Sequence, residues 1–233
     1  MMHLLEVDDL RVEFRTRDGV AQVLNGVSFH VDAGETLALL GESGSGKSVT
    51  AQAIMGILDM PPAAIRSGRI LYQGRDLLSL SPEERRELRG TGIAMVFQDA
   101  LSALNPVFPV GWQIAEALRV RQGMSRAAAN QRAVELMQRV KIPGAESRLQ
   151  DYPHQFSGGM RQRVMIAMAL ALNPKVLIAD EPTTALDVTV QAQIMDLLME
   201  LKDQLGMALI LITHDLGVVA SVADRIAVMY AGR

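Results

Sequence analysis

The sequence predicts an α/β fold with a mostly parallel core sheet, and three observations point to it. A glycine-rich loop, residues 41–48, stands between a strand-like apolar run, residues 36–40, and a helix-like segment. A second apolar run, residues 176–179, ends in two adjacent carboxylates. Apolar residues then recur with helical spacing over residues 190–205, directly before a third apolar run. Strands that alternate with helices are typical of parallel sheets, because parallel strands need crossover connections.

Further strands and helices are predicted on either side of this core. Strand-like segments are residues 4–14, 27–31, 69–72, 93–97 and 225–229, with a turn predicted at residues 16–19. The pattern between residues 111 and 151 is helical, with helices over residues 112–121 and 127–140 and Ser125 as the N-cap of the second. We therefore expect a helical subdomain to be inserted into the α/β core, over residues 99–151.

The glycine-rich loop matches the complete pattern G-x-x-x-x-G-K-[ST]. Glycines allow backbone amides to curl around phosphates, Lys47 can reach the outer phosphates, and the hydroxyl of Ser48 can bind Mg²⁺. A Gly/Ser-rich loop without a ligand is the alternative, and the strand before the loop and the helix after it argue against it. The predicted nucleotide-binding residues here are Gly41, Glu42, Ser43, Gly44, Ser45, Gly46, Lys47, Ser48 and Val49.

A second glycine loop, Ser157, Gly158 and Gly159, opens a predicted helix. The start of a helix offers unpaired amides and favours anions. Because one nucleotide needs only one such cradle, this loop predicts a contact with ATP that is bound to another subunit. We therefore expect the chain to work as a pair, with ATP between the two members.

The carboxylates Asp180 and Glu181 follow a buried strand. Ligands meet parallel sheets at the ends of strands, so Asp180 could hold Mg²⁺ while Glu181 polarises the attacking water. Taken alone, such a pair is more often a solvated strand end. Downstream of a complete phosphate loop, it favours phosphoryl transfer.

The composition excludes several classes of protein. A net charge of −3 disfavours a broad basic surface, so no nucleic-acid partner is expected. The absence of cysteine excludes disulfides, thiolate metal sites and cysteine nucleophiles. The N-terminus lacks a long apolar signal core, and no apolar run reaches the roughly 18 residues of a membrane span. A membrane role would therefore come through a partner.

With these motifs in order, the chain resembles the ATPase subunit of an ATP-binding-cassette (ABC) transporter. Gln98 matches the glutamine of the Q-loop, residues 156–160 match the signature motif, residues 185–187 match the D-loop, and His214 matches the switch histidine. Phe14 matches the aromatic residue that stacks on adenine. The signature departs from its commonest form at Phe156 and Met160, which puts the polar role of its last residue in doubt.

The resemblance implies specific roles. Gln98 senses Mg²⁺ and the membrane partner, Asp187 works across a dimer interface, and His214 contacts the γ-phosphate. The implied catalytic residues are Glu181, His214 and Gln98, and the implied Mg²⁺ ligands are Ser48, Gln98 and Asp180. Taken alone, Gln98 is an ordinary surface amide, Asp187 a helix cap, His214 a structural histidine and Phe14 a core aromatic.

The resemblance also implies an architecture. A P-loop core over residues 1–98 and 152–233 carries an N-terminal antiparallel β subdomain and encloses the helical subdomain of residues 99–151. All 233 residues form one ABC ATPase domain, and the C-terminal extension that is typical of the family is expected to be absent. Partner helices are expected to dock between the helical insert and the loop at Gln98, beside Pro106, Phe108 and Pro109.

Four further segments, residues 98–106, 152–155, 178–187 and 228–233, resemble the di- and oligopeptide importers. This implies a peripheral protein at the cytoplasmic face of the membrane that hydrolyses ATP with Mg²⁺. Its partners would be an identical or paralogous ATPase, two permease subunits and, indirectly, a solute-binding protein. The alternatives are an ABC transporter for nickel, glutathione or another solute, a mechanical ABC ATPase acting on DNA or ribosomes, and a nucleotide-binding switch without useful hydrolysis.

Overall fold

The computed structural model describes residues 2–17, 19–184 and 186–233. One of its two sheets is antiparallel and comes from the N-terminal part of the chain. Its spatial order is β2-β1-β4-β5. The strands are β1 (Leu5–Thr16), β2 (Gly19–Val31), β4 (Ala63–Tyr72) and β5 (Arg75–Asp76).

The second sheet is parallel and forms the centre of the fold, with the order β6-β7-β8-β3-β9. Its inner strands are almost entirely buried, which agrees with their nearly continuous apolar sequences. The strands are β3 (Thr36–Leu40), β6 (Ile93–Val96), β7 (Val176–Asp180), β8 (Ala208–Thr213) and β9 (Arg225–Val228).

Helices connect these strands, and most of them begin at a capping residue. The side chain of Ser125 accepts a hydrogen bond from the amide of Ala128, as predicted for an N-cap. Ser81 and Glu84 form a capping box at the start of α2. The helices are α1 (Lys47–Met55), α2 (Pro82–Leu88), α3 (Ala100–Ala103), α4 (Val110–Gln122), α5 (Arg126–Arg139), α6 (Gly158–Leu170), α7 (Val188–Leu205) and α8 (Leu216–Val222).

Two apolar clusters hold these layers together. One lies between the two sheets and includes Leu5, Leu39 and Ile70. The other joins the helices of the predicted insert to α6, α7 and one face of the parallel sheet, and includes Ile114 and Met137. Because the helices of residues 99–151 share this second cluster with the core, they are packed against it; the division into subdomains stays a prediction.

A chain of polar contacts also links the two sheets. His3 and His30 stack with 3.7 Å between ring centroids, and Asp32 lies 2.8 Å from Nδ1 of His3. Arg225, at the start of β9, donates to Nε2 of His30 at 2.9 Å and to Glu35 at 2.9 Å. Because Arg225 can only donate, Nε2 of His30 is the acceptor. These contacts hold the two sheets together at this edge.

The predicted fold class is confirmed, and the predicted elements are largely present. The antiparallel subdomain is larger than the sequence pattern indicates, because β2 begins at Gly19 and β4 at Ala63, well before the predicted positions 27 and 69. The short helices α3 and α8 were not predicted. No helix among the described residues is long and apolar enough to cross a bilayer.

Candidate nucleotide-binding site

The glycine-rich loop joins the end of β3 to the start of α1, as its motif requires. Lys47, the first residue of α1, is only 5% exposed. Its Nζ donates to the carbonyl oxygens of Gly41 at 2.6 Å and Glu42 at 2.9 Å, so the ammonium group is held inside the loop. A buried cation at the N-terminus of a helix is suited to polyphosphate binding.

Two glycines of this loop occupy positions that no side chain could share. A Cβ on Gly41 would lie 2.3 Å from the carbonyl oxygen of Met229. Gly46 has a φ of 103°, and a Cβ there would lie 2.6 Å from Cδ2 of Leu24. The backbone can therefore take the tight path that brings its amides together only with glycine at both positions.

A cavity of about 570 Å³ opens above the loop. The predicted residues Glu42, Ser43, Gly44, Gly46, Lys47, Ser48, Val49, Gln98, Glu181 and His214 line it. Gly41 and Ser45 of the predicted set do not line it. Phe14 is half-buried in β1, packs against the apolar cluster between the sheets and does not line the cavity, whereas Val23 does. The stacking role of Phe14 stays a prediction, and Val23, which carries no motif, was missed.

Asp180 ends β7 beside the loop and is only 4% exposed. Its Oδ1 has no hydrogen-bond partner among the described residues. Burial raises the pKa of this carboxyl; the hydrogen bond from Ser48 opposes the rise, the charge of Glu181 adds to it, and the charge of Lys47 opposes it. An orphaned buried carboxylate oxygen next to a serine hydroxyl is a donor set that suits Mg²⁺, so these residues fit the predicted ion.

Replacing Asp180 by Asn should stabilise the chain when no nucleotide is bound, and it should remove the stabilisation that Mg²⁺ adds when ATP is bound. A carboxyl whose pKa is higher in the folded chain binds protons more tightly there. Its contribution to stability is therefore present at low pH and is lost as the pH rises through the folded pKa. At neutral pH we expect a higher midpoint of thermal unfolding for Asp180→Asn, measured by circular dichroism without nucleotide.

The same variant should lose the extra stabilisation that Mg²⁺ adds in the presence of ATP. Asp196→Asn, on the exposed face of α7, is the matched control and should resemble the wild type. A lower midpoint of thermal unfolding for Asp180→Asn at neutral pH would contradict the assignment of Asp180 as a buried carboxylate that destabilises the free chain and binds Mg²⁺.

The carboxylate of Glu181 lies where three segments meet. Its Oε2 accepts from Nε2 of Gln98 at 3.0 Å and from Oγ1 of Thr184 at 2.9 Å, and its Oε1 lies 3.3 Å from Nδ1 of His214. Glu181 has a φ of 44°, an uncommon conformation for a residue with a side chain. Its partners and its backbone together fix this carboxylate at the edge of the cavity.

Gln98, Glu181 and His214 were predicted from separate motifs, and the structure brings their side chains together. Thr184 was missed, although it stands three residues after Glu181 in a turn whose amide donates to the carbonyl oxygen of Glu181. A threonine that follows a strand-end acid at this spacing is the signal that could have identified it, because such a hydroxyl can reach back to the carboxylate.

The second glycine loop lies apart from this cavity. Ser157 caps α6 by accepting from the amide of Met160, and it is exposed. Neither Ser157 nor Gly159 lines the cavity above Lys47, and Gly158 lines a neighbouring cavity of about 310 Å³. The geometry is compatible with the predicted contact to another subunit, which stays a prediction.

Asp187 caps α7, since its Oδ1 accepts from the amide of Val190 at 2.9 Å. This agrees with the alternative role that the sequence suggested for it. The side chain is exposed, so the cap leaves it accessible to a neighbouring subunit. Ala185, the first residue of the predicted D-loop, lies outside the described residues.

Comparison with known proteins supports the resemblance. The family described as "ABC transporter" matches residues 24–184. The oligopeptide transport ATP-binding protein OppD of Bacillus subtilis (strain 168) is 58% identical over 230 residues, covering 99% of this chain and 64% of the relative. The dipeptide transport ATP-binding protein DppD of the same organism is 54% identical over 233 residues, covering 100% of this chain and 70% of the relative. The chain thus spans about two thirds of the length of these relatives.

A solved structure of an ATP-binding cassette is also similar to this chain. A structure described as a dimeric post-hydrolysis state of the ATP-binding cassette MJ0796 bound to ADP and Pi is 28% identical, with a TM-score of 0.86. The alignment covers 98% of this chain and 95% of that chain. Together these similarities confirm the family and the resemblance to peptide importers that the motifs predicted.

Proposed function

The chain belongs to the ABC transporter family, and we propose that it is the ATP-hydrolysing subunit of an importer for di- and oligopeptides. The peptide-transport relatives support this choice of solute. The observation that carries the proposed hydrolysis is the position of Glu181. Its carboxylate lies on the same cavity as Lys47, within hydrogen-bond reach of Gln98 and His214.

Each of these side chains has a distinct task in the proposed reaction. Lys47 and the loop amides hold the phosphates of ATP and orient the terminal one. Glu181 accepts the proton of the attacking water, and His214 orients that carboxylate and the γ-phosphate. Ser48, Asp180 and Gln98 would hold Mg²⁺, which, when bound, neutralises charge on the phosphate oxygens.

The proposed partners are a second ATPase subunit, two permease subunits and, indirectly, a solute-binding protein, at the cytoplasmic face of the membrane. The dimeric relatives support pairing. A mostly apolar cavity of about 320 Å³ lies between α1, β6, α4 and α6, next to the Gln98 loop, and suits a docking helix. Phe97, which is 40% exposed, and Ala117 line it. Phe108 lies outside this lining and stacks on Trp112.

A charge in this cavity should separate the ATPase from the membrane. We expect Ala117→Asp to lower co-purification with permease subunits, and peptide uptake in reconstituted vesicles, by at least about tenfold. Burying a carboxylate in a mostly apolar interface costs free energy even where Arg121, one helical turn away, can pair with it. ATP binding should not change, since Ala117 does not line the nucleotide cavity. Val120→Asp, on the exposed face of the same helix, is the control and should assemble normally.

The same membrane preparation tests the function itself. Permease subunits for another solute, such as nickel or glutathione, would replace the peptide assignment by another transporter of the family. Co-purification with DNA or ribosomes and without permeases would refute the transport proposal. Normal assembly of Ala117→Asp would show that the docking surface lies elsewhere.

A further inference from the structure

The turn that carries His214 connects β8 to α8, and Asp215 organises it. Oδ1 of Asp215 accepts from the amides of Gly217 at 2.8 Å and Val218 at 3.3 Å. The amide of Asp215 donates to Oγ1 of Thr213 at 3.1 Å. These bonds give the turn its shape, but all of them lie within it, so they do not fix its position against its neighbours.

Gln191 of α7 supplies a bond from outside the turn. Its Nε2 donates to Oδ2 of Asp215 at 3.2 Å, and the pair is partly buried. Gln191 lies in the first turn of α7, where its amide donates to the carbonyl oxygen of Asp187 at 2.8 Å. The side chain of Gln191 therefore joins the start of α7 to the turn of His214.

We infer that Gln191 is a positioning residue for ATP hydrolysis, which acts by holding the turn of His214 at the distance where His214 meets Glu181. The inference rests on the proposed function. The contact between His214 and Glu181 is 3.3 Å long, near the upper limit for a hydrogen bond, so a shift of a few tenths of an ångström breaks it. The side chain of His214 is 64% exposed, and packing therefore does little to hold it in place.

The bond also couples the position of the start of α7 to the position of His214. Asp187, the N-cap of α7, is the residue expected at the dimer interface. A displacement of α7 at the interface would therefore move Asp215, and with it His214, without passing through the nucleotide.

Variants that exchange the donor and the acceptor of the hydrogen bond between positions 191 and 215 test this bond. Gln191→Glu places two carboxylates together and should break it by repulsion. Asp215→Asn keeps a good N-cap, and Gln191 can turn its amide oxygen toward the new donor, so it should be mild. In the double variant, the new carboxylate at position 191 accepts from the new amide at position 215, which restores the bond with donor and acceptor exchanged. Gln191→Met removes the amide at similar volume and without charge.

Gln204→Glu is the matched control. It lies on the same helix, and its Nε2 donates to Glu200 at 3.1 Å, so the same substitution again places two carboxylates together. That pair is exposed and far along the helix from Asp215. A general effect of an added negative charge on α7 would also appear in this control.

We expect Gln191→Glu to lower kcat for ATP by at least about tenfold, because small errors in the placement of catalytic groups are costly. Gln191→Met should show a smaller loss. KM for ATP should not change, since the phosphate loop is intact. The double variant should return to within about threefold of the wild type, which would show that the two positions are coupled. Gln204→Glu should resemble the wild type.

Wild-type kcat in both Gln191→Glu and Gln191→Met would overturn the inference, and so would a double variant no better than Gln191→Glu. A loss of kcat that follows the thermal midpoint of each variant would also overturn it, because it would show a purely structural role. A wild-type chain without ATPase activity would instead refute the proposed function. In that case the NMR signals of the His214 ring, shifted by Gln191→Glu and restored by the double variant, still decide the positioning.

Discussion

Replacement of Glu181 by Gln should reduce the turnover of ATP by at least about 100-fold and leave the binding of ATP unchanged. Loss of a positioned general base commonly costs a factor of 10² to 10⁴. Gln keeps the size of the side chain, and its amide oxygen can still accept from Gln98 and Thr184, so the local structure should persist. What the amide cannot do is take a proton from water.

Two measurements test this expectation. Phosphate release at saturating ATP gives the turnover, and titration with a fluorescent ATP analogue gives the affinity. Glu83→Gln, on the exposed first turn of α2, removes the same charge elsewhere and should hydrolyse ATP normally. Turnover by Glu181→Gln within about tenfold of the wild type, in a preparation free of contaminating ATPase, would rule out Glu181 as the base.

A single negative charge at Ser157 should abolish a dimer that ATP holds together. In the Glu181→Gln background, ATP with Mg²⁺ should raise the dimer fraction, because a ligand that bridges two chains stabilises their association. ADP lacks the γ-phosphate and should not. Two unit charges about 4 Å apart at an effective dielectric constant of about 20 repel by about 4 kcal/mol, so adding Ser157→Asp should weaken the dimer by roughly 1,000-fold.

Ser157 is a better position for this charge than Gly159. A Cβ on Gly159 would lie 2.6 Å from Cγ1 of Val190, so any substitution there also disturbs packing. Aspartate and asparagine both cap helices as well as serine does, and Ser157→Asn is therefore a neutral control that should still dimerise. Sedimentation velocity measures the dimer fraction.

Two results would count against this arrangement. If the Ser157→Asp chain dimerises with ATP as readily as its parent, the second glycine loop does not complete a neighbour's site. If the Glu181→Gln parent stays monomeric, identical chains do not pair, and the contact of the second glycine loop is then tested with a paralogous ATPase.

The parts of the candidate site whose position the sequence indicates are encoded locally. The phosphate loop and the pair Asp180 and Glu181 each stand within a few residues of the strand that positions them, so their pattern alone indicates their place. Contacts between distant segments carry no such pattern. Val23 and the bond between Gln191 and Asp215 depend on how elements pack, and for this reason the sequence did not predict them.

The same distinction explains why the predicted start of β2 was wrong and why the helix α8 was not predicted. Residues 19–22 at the start of β2 are exposed, and apolar and polar residues do not alternate there as they do in a half-buried strand. This segment is a strand because β1 pairs with it as far as Gly19. The helix α8 has only Val219 fully buried, and the cap at Asp215 rather than an apolar stripe marks its beginning.

The order of strands in the parallel sheet has a consequence for folding during synthesis on the ribosome. β3, which carries the phosphate loop, lies between β8 and β9, and Thr36 bonds to Asp224, 188 residues away in sequence. The amide of Gly232 donates to the carbonyl oxygen of Ser45 within the loop. The ribosome therefore makes the loop early, but the loop lacks its flanking strands until almost all of the described chain has been synthesised. Such long-range pairing is slow to form, so a growing chain carries the complete motif long before it can hold ATP.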